Sequence, residues 1–127
     1  MPVLANAQVA AALPCQDLER AKVWYKEKLG LSPQEENPGG VYYQCAEGMF
    51  LVFPSMGKAS GDHTQMGFLV DDVKAEVAEL REAGVVFEEY DYPELKTVDG
   101  IANLDDSLGA WFKDGDGNMI AVFERIT

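Results

Sequence analysis

Side chains able to do chemistry are sparse in this chain, and few of them stand at useful spacing. The most suggestive run is Asp114-Gly115-Asp116-Gly117-Asn118, which opens like a calcium loop. It stops matching where such a loop needs glycine, because Met119 stands there, and again where it needs a bidentate carboxylate, because Arg125 stands there. A tight hairpin turn accounts for the run better. His63 is the single histidine and lies beside Asp62, so a general-base pair is conceivable, but an isolated loop histidine is normally just hydrated. Cys15 and Cys45 show neither CxxC nor any other metal spacing, which points to reduced, packed thiols and a cytoplasmic location. Glu88-Glu89 and Asp105-Asp106 are adjacent carboxylates, which diverge to opposite faces on a strand and stay hydrated in a loop. No nucleophile elbow, phosphate loop or dinucleotide fingerprint is present.

The bulk properties narrow the classes further. A chain of 127 residues that is 47% apolar is large enough for one globular unit with a real core. Its formal charge of −12, from 22 acidic and 10 basic side chains, repels phosphate backbones and anionic lipid, so neither nucleic acid nor membrane is an expected partner. The same field draws in cations. No apolar run approaches the roughly 18 residues of a membrane span. The Ala-rich start lacks a basic leader region and is read as the approach to a first strand.

The elements that must position any site come from a faint repeat. Gln65 to Phe87 reads as strand, turn, helix, strand, and Gln8 to Leu31 is its twin at an offset of about 55 residues, Asp17 matching Asp72 and Gly30 matching Gly84. The first strand is predicted over Gln8 to Leu13, closed by Pro14. Asp17 caps a helix whose apolar stripe runs Leu18, Ala21, Trp24, Tyr25, Leu29, with both aromatics assigned to packing. Leu31 to Gly40 is read as a connection, and Val41 to Cys45 with Met49 to Phe53 as a hairpin. In the second half, a strand over Gln65 to Val70 leads to a helix capped at Asp71 or Asp72 with Val73, Val77 and Leu80 inward. A strand over Val85 to Tyr90 follows. Asp91 to Gly109, with Pro93 and clustered Asp and Asn, is read as an irregular, mobile lid. Ala110 to Lys113 and Asn118 to Glu124 form the last hairpin. Each half thus gives βαβββ. The expected organisation is one domain over residues 1–127, with a first module at about 6–54, a linker at about 55–63 and a second module at about 64–127.

With DLERAKVWYKEKLGL after the first strand, FLVDDVKAEVAELREAG after the fifth and AWFKDGDGNMIAVFE at the end, the chain resembles the vicinal oxygen chelate superfamily. That family includes glyoxalase I, extradiol dioxygenases, fosfomycin-resistance enzymes and bleomycin-resistance proteins. DYPELKTVDGIANL further resembles its small bacterial glyoxalase-like members. The resemblance implies an α+β fold in which two tandem βαβββ modules form a curved mixed sheet around a cleft. It also implies metal ligands, typically His and Glu, on the first and last strand of each module. Carried onto this sequence, the first-strand positions are Ala10 and Gln65. Superposing Gly48 to Val52 on Gly117 to Ala121 makes Val52 and Ala121 the last-strand positions. Two methyls, an isopropyl and one neutral amide do not make a transition-metal site, so neither metal nor other cofactor is expected.

Period-two alternation then sets the cleft lining. If Ala121 faces inward, so do Met119 and Phe123, and across the hairpin Phe112 and Ala110. Val52 brings Phe50, Tyr42 and Gln44. Trp111 is assigned to packing under a helix. The candidate ligand-binding residues are therefore Gln65, Tyr42, Gln44, Phe50, Phe112, Met119 and Phe123, with no catalytic residue. An apolar aromatic pocket of this kind suits a small organic ligand, so the expected function is metal-independent sequestration of a hydrophobic or cationic aromatic compound, as in bleomycin-resistance proteins. The alternatives are a metal-dependent lyase or dioxygenase with displaced ligands, or an oligomerisation or regulatory domain without ligand. A homodimer is expected in each case.

Overall fold

In the computed structural model, which describes residues 3–126, each helix begins where a short acid can cap it. Asp17 accepts from the Arg20 amide at 3.2 Å and opens α1, Leu18–Leu29. Asp72, rather than Asp71, accepts from the Ala75 amide at 3.1 Å and opens α2, Val73–Glu82. Gly30 ends α1 at φ 70°, where its amide and that of Leu31 reach back to Lys26 and Tyr25.

The first half supplies β1 (Ala10–Cys15), α1, β2 (Glu35–Asn37), β3 (Gly40–Cys45) and β4 (Gly48–Pro54), ordered β1-β4-β3-β2 with β1 parallel to β4. The second supplies β5 (Thr64–Leu69), α2, β6 (Asp91–Tyr92), β7 (Leu95–Val98), β8 (Ile101–Asn103), β9 (Ser107–Lys113) and β10 (Met119–Arg125), ordered β5-β10-β9-β8-β7-β6. The edge strands β1 and β5 lie next to each other. The architecture is α+β, a βαβββ unit followed by a second unit of the same plan lengthened by two strands, with the helices on one side of the sheets and the other side open.

Several local expectations are corrected. The first strand runs through Pro14, which β1 tolerates because it is an edge strand and loses no ladder bond there. Val85 to Tyr90 makes only a bridge between Phe87 and Phe112, because the rest of that edge of β9 is taken by β8. Asp91 to Gly109 is not an irregular lid: β6, β7 and β8 extend the sheet through it. Asp99 and Gly100, at φ 52° and 80°, form the two-residue turn that closes β7 on β8, a conformation Asp-Gly adopts readily. The Glu89 carboxylate holds that turn by accepting from Thr97 Oγ1 and the Gly100 amide, bonds that keep its pKa below the usual carboxylate value. Glu35 to Asn37, read as connection, pairs with β3.

The core lies between helices and sheets. Tyr25 from α1 stacks on Tyr43 at 5.4 Å between ring centroids, and Tyr43 on Phe50 at 5.0 Å. Val73 and Val77 from α2 are buried with Ile120 and Val122.

Candidate functional site

The ladders decide which side chains reach the open face. In the first half, Phe50 pairs with Tyr43 and Val52 with Val41, all buried under α1, so Tyr42, Gln44, Met49 and Leu51 point to the open side. In the second, Ile120 pairs with Phe112 and Val122 with Ala110 on the helix side. Met119, Ala121 and Phe123 therefore share the open side with Trp111. Five sequence-based assignments are reversed by this register, those of Phe50, Val52, Ala110, Phe112 and Trp111. Phe50 and Phe112 belong to the helix-side core, Phe112 with no exposed surface, and Trp111 belongs to the open face. Tyr42, Gln44, Gln65, Met119 and Phe123 fall on the open side as read. Gln44 is exposed and donates to the Ala46 carbonyl of its own turn at 3.4 Å.

The centre of this face is built from small residues: Ala10 and Ala12 on β1, Gly67 on β5, Ala121 on β10. Aromatic side chains rise around the second half of it. The Phe123 ring lies over Gly67, where a Cβ would come within 3.1 Å of it, and the Trp111 indole lies over Gly109 at the same distance. Tyr90 meets Trp111 edge to face at 5.8 Å and directs its hydroxyl toward Met119 Sδ at 4.0 Å. Burial raises the Tyr90 pKa, so it is a neutral phenol at physiological pH. A hollow of about 540 Å³ runs along the seam where β5 faces the β3–β4 hairpin, touching Met49, Gly67 and Leu69. Another of about 410 Å³ lies beside Phe123, Asp106 and Arg125. Tyr90 and Trp111 escaped the sequence reading. Their ring contact follows from the bridge between Phe87 and Phe112, which sets the Glu88 to Tyr90 segment beside β9 and which no local pattern announces.

The polar residues near the family's ligand positions are engaged elsewhere. Gln65 sits at a bulge in β5, where its Nε2 donates to Asn118 Oδ1 at 2.9 Å and its Oε1 accepts from the Met119 amide at 3.2 Å. Asn118, fully buried, donates through Nδ2 to the Pro14 carbonyl and to Asp114 Oδ2. Asp114 accepts in addition from Tyr25 Oη at 2.6 Å and from the Asp116 and Asn118 amides. Burial first, then the Asp114 charge, pushes the Tyr25 pKa far up. The Asp114 to Asn118 run is thus a hairpin turn, as read, and also the clasp that ties the end of the chain to β1 and α1.

The ladders also correct the last-strand position. Ala12 pairs with Leu51 and Gly67 with Ala121, so Leu51, not Val52, is the counterpart of Ala121. Ala10, Leu51, Gln65 and Ala121 offer one amide, already bonded at both ends. That donor set does not fit a divalent transition metal. Among the described residues, no three His, Cys, Asp or Glu side chains gather as a metal site. His63 is exposed, with Nδ1 3.5 Å from Ser60 Oγ. No helix among the described residues is long and apolar enough to cross a membrane.

Comparison with known proteins agrees with this architecture. A comparison with curated protein sequences gave no match. Among solved structures, the chain is similar to a bleomycin resistance determinant encoded on the transposon Tn5, with TM-score 0.68 and 17% identity over 96% of this chain and 100% of that one. TnmS3, an antibiotic-binding protein from Streptomyces sp. CB03234, superposes with TM-score 0.65 and 23% identity over 94% and 96%. Lactoylglutathione lyase from Agrobacterium tumefaciens does so with TM-score 0.61 and 26% identity over 94% and 93%. The family model for the Glyoxalase/Bleomycin resistance protein/Dioxygenase superfamily matches residues 7–122, and the chain belongs to that superfamily.

Proposed function

We propose that this protein binds a small, planar organic molecule on the open face of its sheets, without a metal at the family's ligand positions. The observation that carries the reading is the exchange of donors for carbon: Ala10, Leu51 and Ala121 stand where a metal would need ligands, and Tyr90, Trp111 and Phe123 stand around them. A small-residue floor with aromatic walls favours stacking on a flat ligand, and a net charge of −12 favours a cationic one. The likeness to an antibiotic-binding protein and a bleomycin resistance determinant supports the same class of partner. A reduced, cytoplasmic setting fits two free cysteines.

The test uses a Trp24→Phe background, in which Trp111 is the remaining tryptophan. Titration with planar cationic and neutral aromatic compounds should give saturable changes in its emission without turnover. Stoichiometric zinc, nickel, manganese or iron in protein purified without chelator, or a panel that leaves Trp111 unmoved, would end the reading. Two copies are expected to pair, since the seam leaves Met49 and Leu69 exposed. Light scattering should then give about twice the 13.9 kDa chain mass, and a monomer at micromolar concentration would refute the pairing.

A further inference from the structure

A third hollow, of about 170 Å³, opens on the helix side of the sheets and shares Phe68 and Cys45 with the seam hollow. Phe68 on β5, Leu29 at the end of α1 and Leu80 on α2 form its accessible apolar floor, over the buried Phe112 and Val122. Leu29, Phe68 and Leu80 are only half-buried, so the hollow is reachable from solvent. Its one ionisable acid is Glu76 on α2, also half-buried. Among the described residues, the ion pairs join Lys22 to Glu19 and Glu36, and Lys113 to Glu88; the Glu76 carboxylate has no cation and accepts no hydrogen bond.

We propose that this hollow binds a small arylalkylammonium ion, with its ring on the apolar floor and its ammonium on the Glu76 carboxylate. Size sets the ring: an apolar cavity of about 150 Å³ accepts a benzene-sized guest and stays dry without one, and this one is of that order. Charge sets the head group. A carboxylate without a partner cation gains from a charge-assisted hydrogen bond, and an ammonium supplies up to three donors. A carboxylate ligand would instead meet Glu76 and the overall charge of −12. The inference does not depend on the reading of the open face.

Benzylammonium at pH 7 is the probe, followed by calorimetry with the full chain. Saturable binding should weaken about tenfold in Glu76→Gln and by a similar factor when the neutral benzyl alcohol replaces the amine. Cys45, half-buried, lines this hollow and the seam, so bound amine should slow its alkylation, while the fully buried Cys15 stays unreactive in both states. Leu80→Trp, which fills the hollow, should abolish binding. Glu76→Gln is a conservative change on a half-buried helix position, so the test survives should the Leu80 variant fail to fold. Equal affinity in wild type and Glu76→Gln, equal affinity for the alcohol, loss of the site in Trp111→Ala, or no binding at millimolar amine would each overturn the proposal. Failure of the open-face reading would show differently, as an unmoved Trp111 with this binding intact.

Discussion

The two halves of the molecule divide their aromatic side chains differently between the two faces of the sheets. In the first, Tyr25, Tyr43 and Phe50 stack between α1 and the sheet, and the open side carries Ala10, Ala12 and Leu51, with Tyr42 paired to Leu51. In the second, the helix side holds Phe68, Phe87 and Phe112 with Val73, Val77, Ile120 and Val122, while Tyr90, Trp111 and Phe123 stand on the open side. The same plan thus commits most of its large rings to the core in one copy and shares them between the core and the open face in the other. Phe112 and Phe68 join the copies from the helix side, Phe112 stacking on Trp24 of α1 at 6.4 Å and Phe68 meeting Phe50 of β4 edge to face at 6.0 Å.

Neighbouring residues on β9 give the largest effect with which to break that contrast. Phe112→Ala empties a fully buried site and should cost about 3–5 kcal/mol. Trp111→Ala, half-buried on the open face, should cost about 1 kcal/mol yet abolish ligand-dependent changes on that face. Urea unfolding of both variants, with ligand titration of the second, checks the pair. If the stability losses came out in the reverse order, the assignment of faces would be wrong.

The clasp between the halves comes next in size. Asp114→Ala removes the acceptor for Tyr25 Oη, Asn118 Nδ2 and two backbone amides, leaving buried donors without partners. A loss of about 3 kcal/mol is expected by chemical denaturation. Gln65, bonded to Asn118, should also lose its place, so amide exchange at Met119 should quicken. A loss well under 1 kcal/mol would show that the clasp does not bind the halves together.

How much of this could be read beforehand follows from the range of each signal. The caps at Asp17 and Asp72, the left-handed Gly30 and the β3–β4 hairpin depend on a few neighbouring residues, and those were legible. The face assignment was not. Gly48 and Gly117 looked equivalent, but the turn before β10 is longer than the turn before β4, so aligning on glycine slips the ladder by one and turns every side chain over. Trp111 and Phe112 are adjacent and both aromatic, so alternation alone cannot choose between them. The Asp99-Gly100 turn was a strong local signal obscured by Pro93 and the acids around it. The clasp joins Tyr25 to Asp114 across 89 residues, and no local pattern announces a contact of that span.

Two tyrosines of one stack sharpen the comparison at a smaller scale. Tyr25 donates to Asp114, whereas the Tyr43 hydroxyl is buried with no partner. Tyr25→Phe should cost about 1–2 kcal/mol, because it leaves Asp114 short of a donor. Tyr43→Phe should be neutral or stabilise by up to about 1 kcal/mol, because it removes a hydroxyl that gains nothing from burial. Equal losses in thermal unfolding would mean that the Tyr43 hydroxyl is satisfied in solution.

A pH limb at Cys15 tests the clasp by titration. Burial, and then the charges of Asp116, Asp114 and Asp17, raise the Cys15 thiol from 9.0 to about 11. The folded state therefore holds this proton more tightly than the unfolded one. Its contribution to stability is fully present below pH 9 and is lost as pH rises through about 11. Lysines and tyrosines titrate in the same range, so the measurement is a difference: the stability of wild type minus that of Cys15→Ala should fall between those two pH values. Cys45 is raised as well, by burial alone, and Cys45→Ala serves as the control on the other side of the sheet's edge. A flat Cys15 difference across the window would show that the three carboxylates do not act on the thiol, and with it that the clasp is looser in solution than its hydrogen bonds imply.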